Sequence, residues 1–183
     1  HPLEVSQAVE EILSQAQAPI FISDGGEFGQ WSQACVSITP RLINGPAGSI
    51  GSSIPFALAA QLLFCESTVI SMLGDGTAGF HLSEFDTAVR YKLPFIAVIG
   101  NDSAWNAEYQ IQLREYGEER LSNCELLPTR YDQVAKALGG HGEYVTSITE
   151  LKPAFQRALN SGLPSCINVS IGRYAAPNVN RRG

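Results

Sequence analysis

Two uninterrupted apolar runs restrict the fold of this sequence more than any other feature. They are residues 68–73 (TVISML) and residues 94–99 (PFIAVI). A strand with one face in water alternates apolar and polar residues, whereas a strand buried on both faces is apolar throughout. Because segments with helical patterning lie before, between and after these runs, the sequence predicts an α/β fold with helices on both faces of a parallel sheet.

The remaining pattern extends this layout along the chain. Helices are predicted from the first residues to the break near Pro19, over a stretch that carries Trp31, Ala34 and Cys35, and at 54–63, 82–91, 131–138 and 149–160, the last with Thr149 as its cap. Further strands are predicted at residues 20–23, 143–145 and 164–171. Residues 106–130 are polar and aperiodic, and we expect a partly helical, mobile connection. The prediction is one domain over residues 1–183, a three-layer α/β/α fold with a mostly parallel sheet of about six strands.

Composition and charge exclude several classes of protein. The formal charge of -6 argues against nucleic acid, because a phosphate backbone selects basic surfaces. No apolar run reaches the roughly 18 residues that span a bilayer, and no leader pattern opens the chain, so no membrane association and a cytoplasmic location are expected. Cys35, Cys65, Cys124 and Cys166 are widely spaced, which favours reduced, buried thiols. Because the chain opens at His1, we interpret it as a fragment of a longer chain whose remainder lies upstream.

Three glycine-rich segments follow predicted strands. They are residues 24–28 (DGGEF), 74–78 (GDGTA) and 100–105 (GNDSAW). Ligands of open parallel sheets bind at the carboxyl ends of strands, and glycines let backbone amides approach a phosphate. Asp75 and Asp102 could supply oxygen ligands to a hard cation such as Mg²⁺, which would bridge to a diphosphate. A lone Gly-Asp-Gly is also common in ordinary turns. The first predicted strand is not followed by the dinucleotide-binding fingerprint G-x-G-x-x-G, and the sequence has no Walker loop, which argues against a dinucleotide or a nucleoside triphosphate as the ligand.

The spacing of these segments resembles that of thiamine-diphosphate enzymes. Residues 74–76 (GDG) are followed, after 24 residues, by Asn101 and Asp102, where the family has Gly-Asp-Gly and Asn-Asn. Residues 84–90 and 93–94 resemble the acetolactate synthase branch, which includes benzaldehyde-lyase-like and 2-hydroxyacyl-CoA-lyase-like members. Residues 45–51 and 162–169 resemble the family's glycine-rich segment and last strand. The resemblance implies the thiamine-diphosphate-binding fold, in the C-terminal domain that binds the cofactor's diphosphate.

The resemblance also implies a set of site residues. Asp75, Asp102 and the backbone carbonyl of Ala104 would bind Mg²⁺, and Ile50 would hold the cofactor in its bent form. Asp102 departs from the family's second asparagine but remains an oxygen ligand. The full set of expected cofactor contacts is Gly25, Gly26, Glu27, Phe28, Gly48, Ile50, Gly74, Asp75, Gly76, Thr77, Ala78, Asp102, Ala104 and Trp105.

The family's activating glutamate is not found in this sequence. It belongs to a separate pyrimidine-binding domain, so no catalytic residue is assigned and the chain alone is expected to be inactive. The implied enzyme is a homodimer or homotetramer that makes or breaks C–C bonds next to a carbonyl, with a 2-keto acid as the favoured substrate. A lyase or decarboxylase of 2-hydroxyacyl-CoA or aromatic substrates is the alternative, and a non-catalytic subunit that retains the fold is another. His81 could face substrate or form a local hydrogen bond, and Trp105 could pack on the cofactor or in the core.

Overall fold

The computed structural model describes residues 1–45 and 47–177. Pro46, in the glycine-rich segment, and residues 178–183 lie outside the described residues. The strands are β1 (Ile20–Ser23), β2 (Arg41–Ile43), β3 (Val69–Gly74), β4 (Ile96–Asn101), β5 (His141–Val145) and β6 (Ser165–Ser170). The α-helices are α1 (Pro2–Gln15), α2 (Gly26–Cys35), α3 (Ser53–Leu63), α4 (Asp75–His81), α5 (Glu84–Tyr91), α6 (Asn106–Tyr116), α7 (Tyr131–Ala137) and α8 (Ile148–Ser161), and a 3₁₀ helix spans Glu118–Arg120.

The described strands form one parallel sheet in the order β2-β1-β3-β4-β6-β5. This confirms the predicted α/β fold, and every strand pair is parallel. The edge strand β2 was not predicted, because its three residues are too few to show a strand pattern, although two of them are apolar. The register sets Gly74 at the end of β3 beside Gly100 in β4.

Helices cover both faces of the sheet, and the central strands contribute to each side in alternation. Ile70 and Met72 belong to a core with residues of α1, α2 and α8. Val69 and Leu73 of the same strand belong to a second core with residues of α3, α5 and α7. These four side chains are at most 2% exposed. The three layers therefore follow from period-two alternation in strands that are apolar on both faces.

Local details differ from the sequence-based expectations at several points. Helix α8 is capped by Ser147 and not by Thr149, since the carboxylate of Glu150 accepts the Ser147 N–H at 3.2 Å in a capping box. Cys124 and Cys166 are buried, but Cys65 is exposed, so the buried-thiol prediction is wrong there. Across the described ranges, the helices are all too short or too polar to cross a membrane.

Candidate functional site at the carboxyl edge of the sheet

A cleft of about 130 Å³ opens where β3 and β4 end. The register of the two strands brings the segments after Gly74 and Gly100 side by side, so Asp75 and Asp102 enter the same cleft. The residues that line it are Gly26, Glu27, Phe28, Ile50, Gly74, Asp75, Gly76, Thr77, Gly100, Asp102, Ala104, Trp105, Asn106, Ala107 and Glu108. The three glycine-rich segments therefore meet at one place, as expected for the carboxyl edge of a parallel sheet.

Asp75 is a buried carboxylate in which one oxygen lacks a hydrogen-bond partner. It is the first residue of α4, and its Oδ1 accepts the backbone N–H of Gly76 at 3.0 Å. Its Oδ2 is buried and has no hydrogen-bond partner. Burial raises the pKa of Asp75 to about 6, against the opposing effect of the hydrogen bond from the Gly76 N–H. A buried oxygen without a donor is costly, and a cation in the cleft would supply the missing partner.

Asp102 places a second carboxylate next to the first. Burial and the negative charge of Asp75 together raise the pKa of Asp102 to about 7, while the guanidinium of Arg173 lowers it. Glu27 and Glu108 add further acidic groups, and burial raises the pKa of Glu27 as well. Lysine, arginine and histidine do not occur among the lining residues. The cleft is thus suited to a divalent cation, and it repels a free anion unless such a cation is present.

The loop that follows Asp102 is fixed by a distant part of the chain. The N–H of Trp105 donates to the carbonyl of Cys124, and the N–H of Leu126 donates to the carbonyl of Ser103, both at 2.8 Å. Ala104 forms an antiparallel bridge with Glu125 between these two bonds. Residues 103–105 are therefore held like a short strand, although they lie outside the main sheet.

Two glycines of the cleft, Gly76 and Gly100, are required by close approaches of aromatic side chains. A Cβ on Gly76 would come within 2.6 Å of the ring of Trp105, and a Cβ on Gly100 would overlap the ring of Phe28. Trp105 also meets Phe80 edge-on, with 6.3 Å between ring centroids. Gly26 adopts a φ of +81° at the start of α2, a conformation that favours glycine, and residues 26–28 of that helix line the cleft.

Ile50 is held in the cleft by contacts made through its neighbours. A Cβ on Gly25 would lie 2.5 Å from Cγ2 of Ile50, so the side chain of Ile50 packs directly on the backbone that opens α2. The next residue, Gly51, accepts a hydrogen bond from His81 Nδ1 at 2.7 Å. Because a carbonyl only accepts, this His81 nitrogen carries the proton. His81 therefore forms the local hydrogen bond that was one of its two interpretations.

Comparison with known proteins identifies the family at this point. A family model described as "Thiamine pyrophosphate enzyme, C-terminal TPP binding domain" matches residues 24–169, a range that includes both aspartates and all three glycine-rich segments. The chain belongs to this family. Thiamine pyrophosphate is another name for thiamine diphosphate.

Relatives of this thiamine-pyrophosphate-binding domain are much longer proteins. A probable acetolactate synthase of Mycobacterium bovis is 39% identical over 173 residues, which are 92% of this chain and 31% of the relative. The 2-hydroxyacyl-CoA lyase 2 of Homo sapiens is 33% identical over 183 residues, covering 94% of this chain and 28% of the relative. The chain thus spans about a third of the length of these relatives.

A solved structure shares the fold of the thiamine-pyrophosphate-binding domain. The thiamine diphosphate-dependent 4-hydroxybenzoylformate decarboxylase of Rhodococcus jostii superposes with a TM-score of 0.81 at 20% sequence identity. The match covers 93% of this chain and 33% of that one. The architecture is therefore common to both proteins.

The structure brings most of the sequence-predicted site residues of this domain together. Gly25, Gly48 and Ala78 are the exceptions: Gly25 packs on Ile50, Gly48 faces open space with a φ of +67°, and Ala78 is fully buried in the core. Gly100 and residues 106–108 line the cleft but were not predicted. Their position directly before and after the Asp102 loop is the signal that could have found them.

In the described part of the chain, His, Cys, Asp and Glu side chains do not gather in groups of three or more that could hold a metal.

Proposed function

We propose that this domain binds thiamine diphosphate through Mg²⁺, with Asp75, Asp102 and the carbonyl of Ala104 as protein ligands of the metal. The observation that carries the proposal is the buried Oδ2 of Asp75, which lacks a partner in a cleft shared with Asp102. Oxygen ligands from carboxylates and carbonyls are those that Mg²⁺ prefers, commonly together with phosphate oxygens of the substrate. The donor set fits this ion.

The charge of the cleft supports the need for a metal. A diphosphate carries several negative charges, and the lining adds carboxylates without a basic side chain. A divalent cation between the two reverses this repulsion. Backbone N–H groups of residues 26–28 and 76–78 would hold the remaining phosphate oxygens, since two helices begin there.

The size of the cleft supports a partial site. Its volume of about 130 Å³ is small beside the roughly 300–1,000 Å³ of pockets that enclose a whole cofactor-sized ligand. The cleft suits the diphosphate and the atoms next to it, and Ile50 in its lining would contact the adjacent part of the cofactor. The aminopyrimidine end would then lie against a pyrimidine-binding domain, which we propose as the partner, within a homo-oligomeric enzyme.

For the whole enzyme, we infer an activity that makes or breaks C–C bonds next to a carbonyl. The bound cofactor supplies the thiazolium carbon for this chemistry, and the residues of this domain orient it. Decarboxylation and ligation of 2-keto acids is favoured by the 39% identity to a probable acetolactate synthase. Cleavage of 2-hydroxyacyl-CoA is the second candidate, because the 33% identity to 2-hydroxyacyl-CoA lyase 2 extends over 94% of the chain.

Isothermal titration calorimetry tests the binding proposal. Thiamine diphosphate should bind in MgCl₂ but not in EDTA, and Asp75→Ala should abolish binding. Asp86→Ala is the matched control, because Asp86 is an exposed aspartate paired with Arg90 on α5. Binding without Mg²⁺, or binding that survives Asp75→Ala, contradicts the proposal.

Turnover tests the need for a second domain. The chain alone, loaded with Mg²⁺ and thiamine diphosphate, should release no CO₂ from pyruvate. Release of CO₂ above the level of the Asp75→Ala variant would show that the domain is sufficient. Absence of cofactor binding by the full-length protein would instead favour a non-catalytic subunit that retains the fold.

A further inference from the structure

Arg173 forms hydrogen bonds with the main chain of the loop that carries Asp102. Its Nε donates to the carbonyl of Asp102 at 3.0 Å, and its Nη2 donates to the carbonyl of Ser103 at 2.9 Å. Arg173 follows β6, which lies next to β4 in the sheet, so the end of one strand reaches across to the loop after its neighbour. The sequence separation between the partners is about 70 residues.

The guanidinium of Arg173 is locked in place. Both carboxylate oxygens of Glu125 accept hydrogen bonds from it at 2.6 Å, in the bidentate geometry that fits arginine. Glu125 itself pairs with Ala104 through the backbone. The guanidinium carbon also lies 5.4 Å from the centroid of the Tyr109 ring. With its side chain 27% exposed, Arg173 is held beside the loop that follows Asp102 and does not extend into solvent.

This fixed positive charge stands beside an excess of negative charge. The cleft lining holds Asp75 and Asp102 without a basic side chain, and the guanidinium of Arg173 lies within hydrogen-bond distance of the Asp102 main chain. Its pairing with the exposed Glu125 cancels the field of the guanidinium only in part, because solvent screens a surface carboxylate more strongly than a buried one. A neutral ligand at position 102 would remove one negative charge from the site, whereas the aspartate keeps it.

We propose that Arg173 is a positioning residue that balances the charge of Asp102, so that the two-aspartate site accepts an anionic diphosphate. The proposal rests on the function proposed above and adds a residue to it. It implies that the requirement for Arg173 depends on what stands at position 102. An arginine that only tethers the loop would be needed equally with either side chain, since its hydrogen bonds go to backbone carbonyls.

A double-mutant cycle separates charge balance from tethering. The variants are Arg173→Met, Asp102→Asn and the pair, with the affinity for thiamine diphosphate measured calorimetrically at saturating MgCl₂. Arg173→Met should lower the affinity about tenfold with Asp102 present and about twofold or less in the Asp102→Asn background, a difference that matches one charge interaction near a protein surface. Arg173→Lys should restore most of the affinity, because it keeps the charge but not the bidentate geometry. Equal losses in the two backgrounds, or no loss in either, would overturn the proposal.

Arg157→Met is the matched control. Arg157 forms the same kind of bidentate pair with Glu143, at 2.9 and 2.7 Å, on α8 and β5. Its removal should cost some stability but leave cofactor affinity unchanged within about twofold. A loss of affinity as large as that of Arg173→Met would show that the effect is not specific to the metal loop, and the proposal would fall.

A second measurement tests the charge relationship without cofactor. The wild type, the two single variants and the pair are unfolded in urea at pH 8 in EDTA. Arg173→Met should lower the midpoint clearly more with Asp102 present than in the Asp102→Asn background, because only an aspartate at position 102 loses a positive partner when the arginine is removed. Additive shifts overturn the proposal, whether or not thiamine diphosphate binds. Failure of wild-type binding would reject the proposed function, whereas additive urea shifts would reject the charge relationship between Arg173 and Asp102, so the two failures are distinguishable.

Discussion

The carboxylate of Asp24 accepts the backbone N–H of Gly51, which lies 3.2 and 3.1 Å from its two oxygens. The same carboxylate accepts the N–H groups of Ser53 at 2.8 Å and Gly25 at 2.7 Å. Asp24 is fully buried, so one side chain joins the end of β1 to the loop that enters α3. Ile50 directly precedes one of these hydrogen-bonded residues, Gly51, and lies close in the chain to another, Ser53. Its position in the cleft therefore depends on Asp24, which does not itself line the cleft.

Asp24→Asn should loosen this loop. The amide nitrogen of asparagine would face a backbone N–H that now has a carboxylate acceptor, leaving buried donors unpaired at a cost of about 1–3 kcal/mol. We expect a lower urea midpoint and faster hydrogen exchange at Gly51 and Ser53, with weaker binding of thiamine diphosphate. Unchanged exchange at these two amides would contradict the assigned role, and Asp86→Asn on α5 serves as control.

Two glycines of α4 should respond to alanine in opposite ways. Gly76→Ala would place a Cβ 2.6 Å from the Trp105 ring, whereas a Cβ on Gly79 meets no atom within 4 Å. Gly76→Ala should therefore displace the indole, alter tryptophan fluorescence and weaken cofactor binding. Gly79→Ala should stabilise the chain by up to about 1 kcal/mol through helix propensity and leave the fluorescence unchanged. Equal fluorescence spectra in the two variants would show that Trp105 does not pack on Gly76.

Cofactor affinity should rise with pH. The pKa values of Asp75 and Asp102 are raised to about 6 and about 7, so both carboxylates bind protons near neutral pH in the metal-free protein. Since Mg²⁺ needs the deprotonated form, protons must leave on binding, and the affinity should increase about tenfold between pH 6 and pH 8. Calorimetry in buffers of different ionisation enthalpy measures the released protons.

Asp102→Asn is the control for this pH dependence. It removes the group with the higher pKa and leaves the titration of the cofactor's own phosphates unchanged. The pH profile should therefore flatten between pH 7 and pH 8. A profile identical to that of the wild type would assign the dependence to the cofactor and not to the protein.

Asp75→Asn should stabilise the metal-free chain. The folded pKa of Asp75 lies above that of an unfolded aspartate, so the buried carboxylate destabilises the fold whenever it is charged. The gain should be complete above about pH 6 and should vanish as the pH falls through the ordinary aspartate range near 4. Urea unfolding at pH 8 and pH 4 checks this sign, and a gain that grows on acidification would refute it.

The sequence predicts the features that depend on local pattern. The apolar runs at residues 68–73 and 94–99 predict β3 and β4 to within two residues, because a short run that is apolar on both faces is typical of a covered parallel sheet. Asp75 and Asp102 could be expected to meet because the carboxyl ends of neighbouring parallel strands share one edge. The glycines in residues 74–78 and 100–105 indicate the same edge of the sheet, because they follow the two strands directly.

Other parts of the site depend on contacts between residues far apart in the chain. Arg173 reaches the Asp102 loop because β6 pairs with β4, a neighbour relation that no local pattern encodes. Asp24 and His81 act on Gly51 from different elements, across separations of about 30 residues. The sequence alone therefore indicates which groups could bind a metal and a diphosphate. Their orientation, burial and charge balance arise only when the packed sheet brings strand ends together, since each of these properties depends on distances in space and not along the chain.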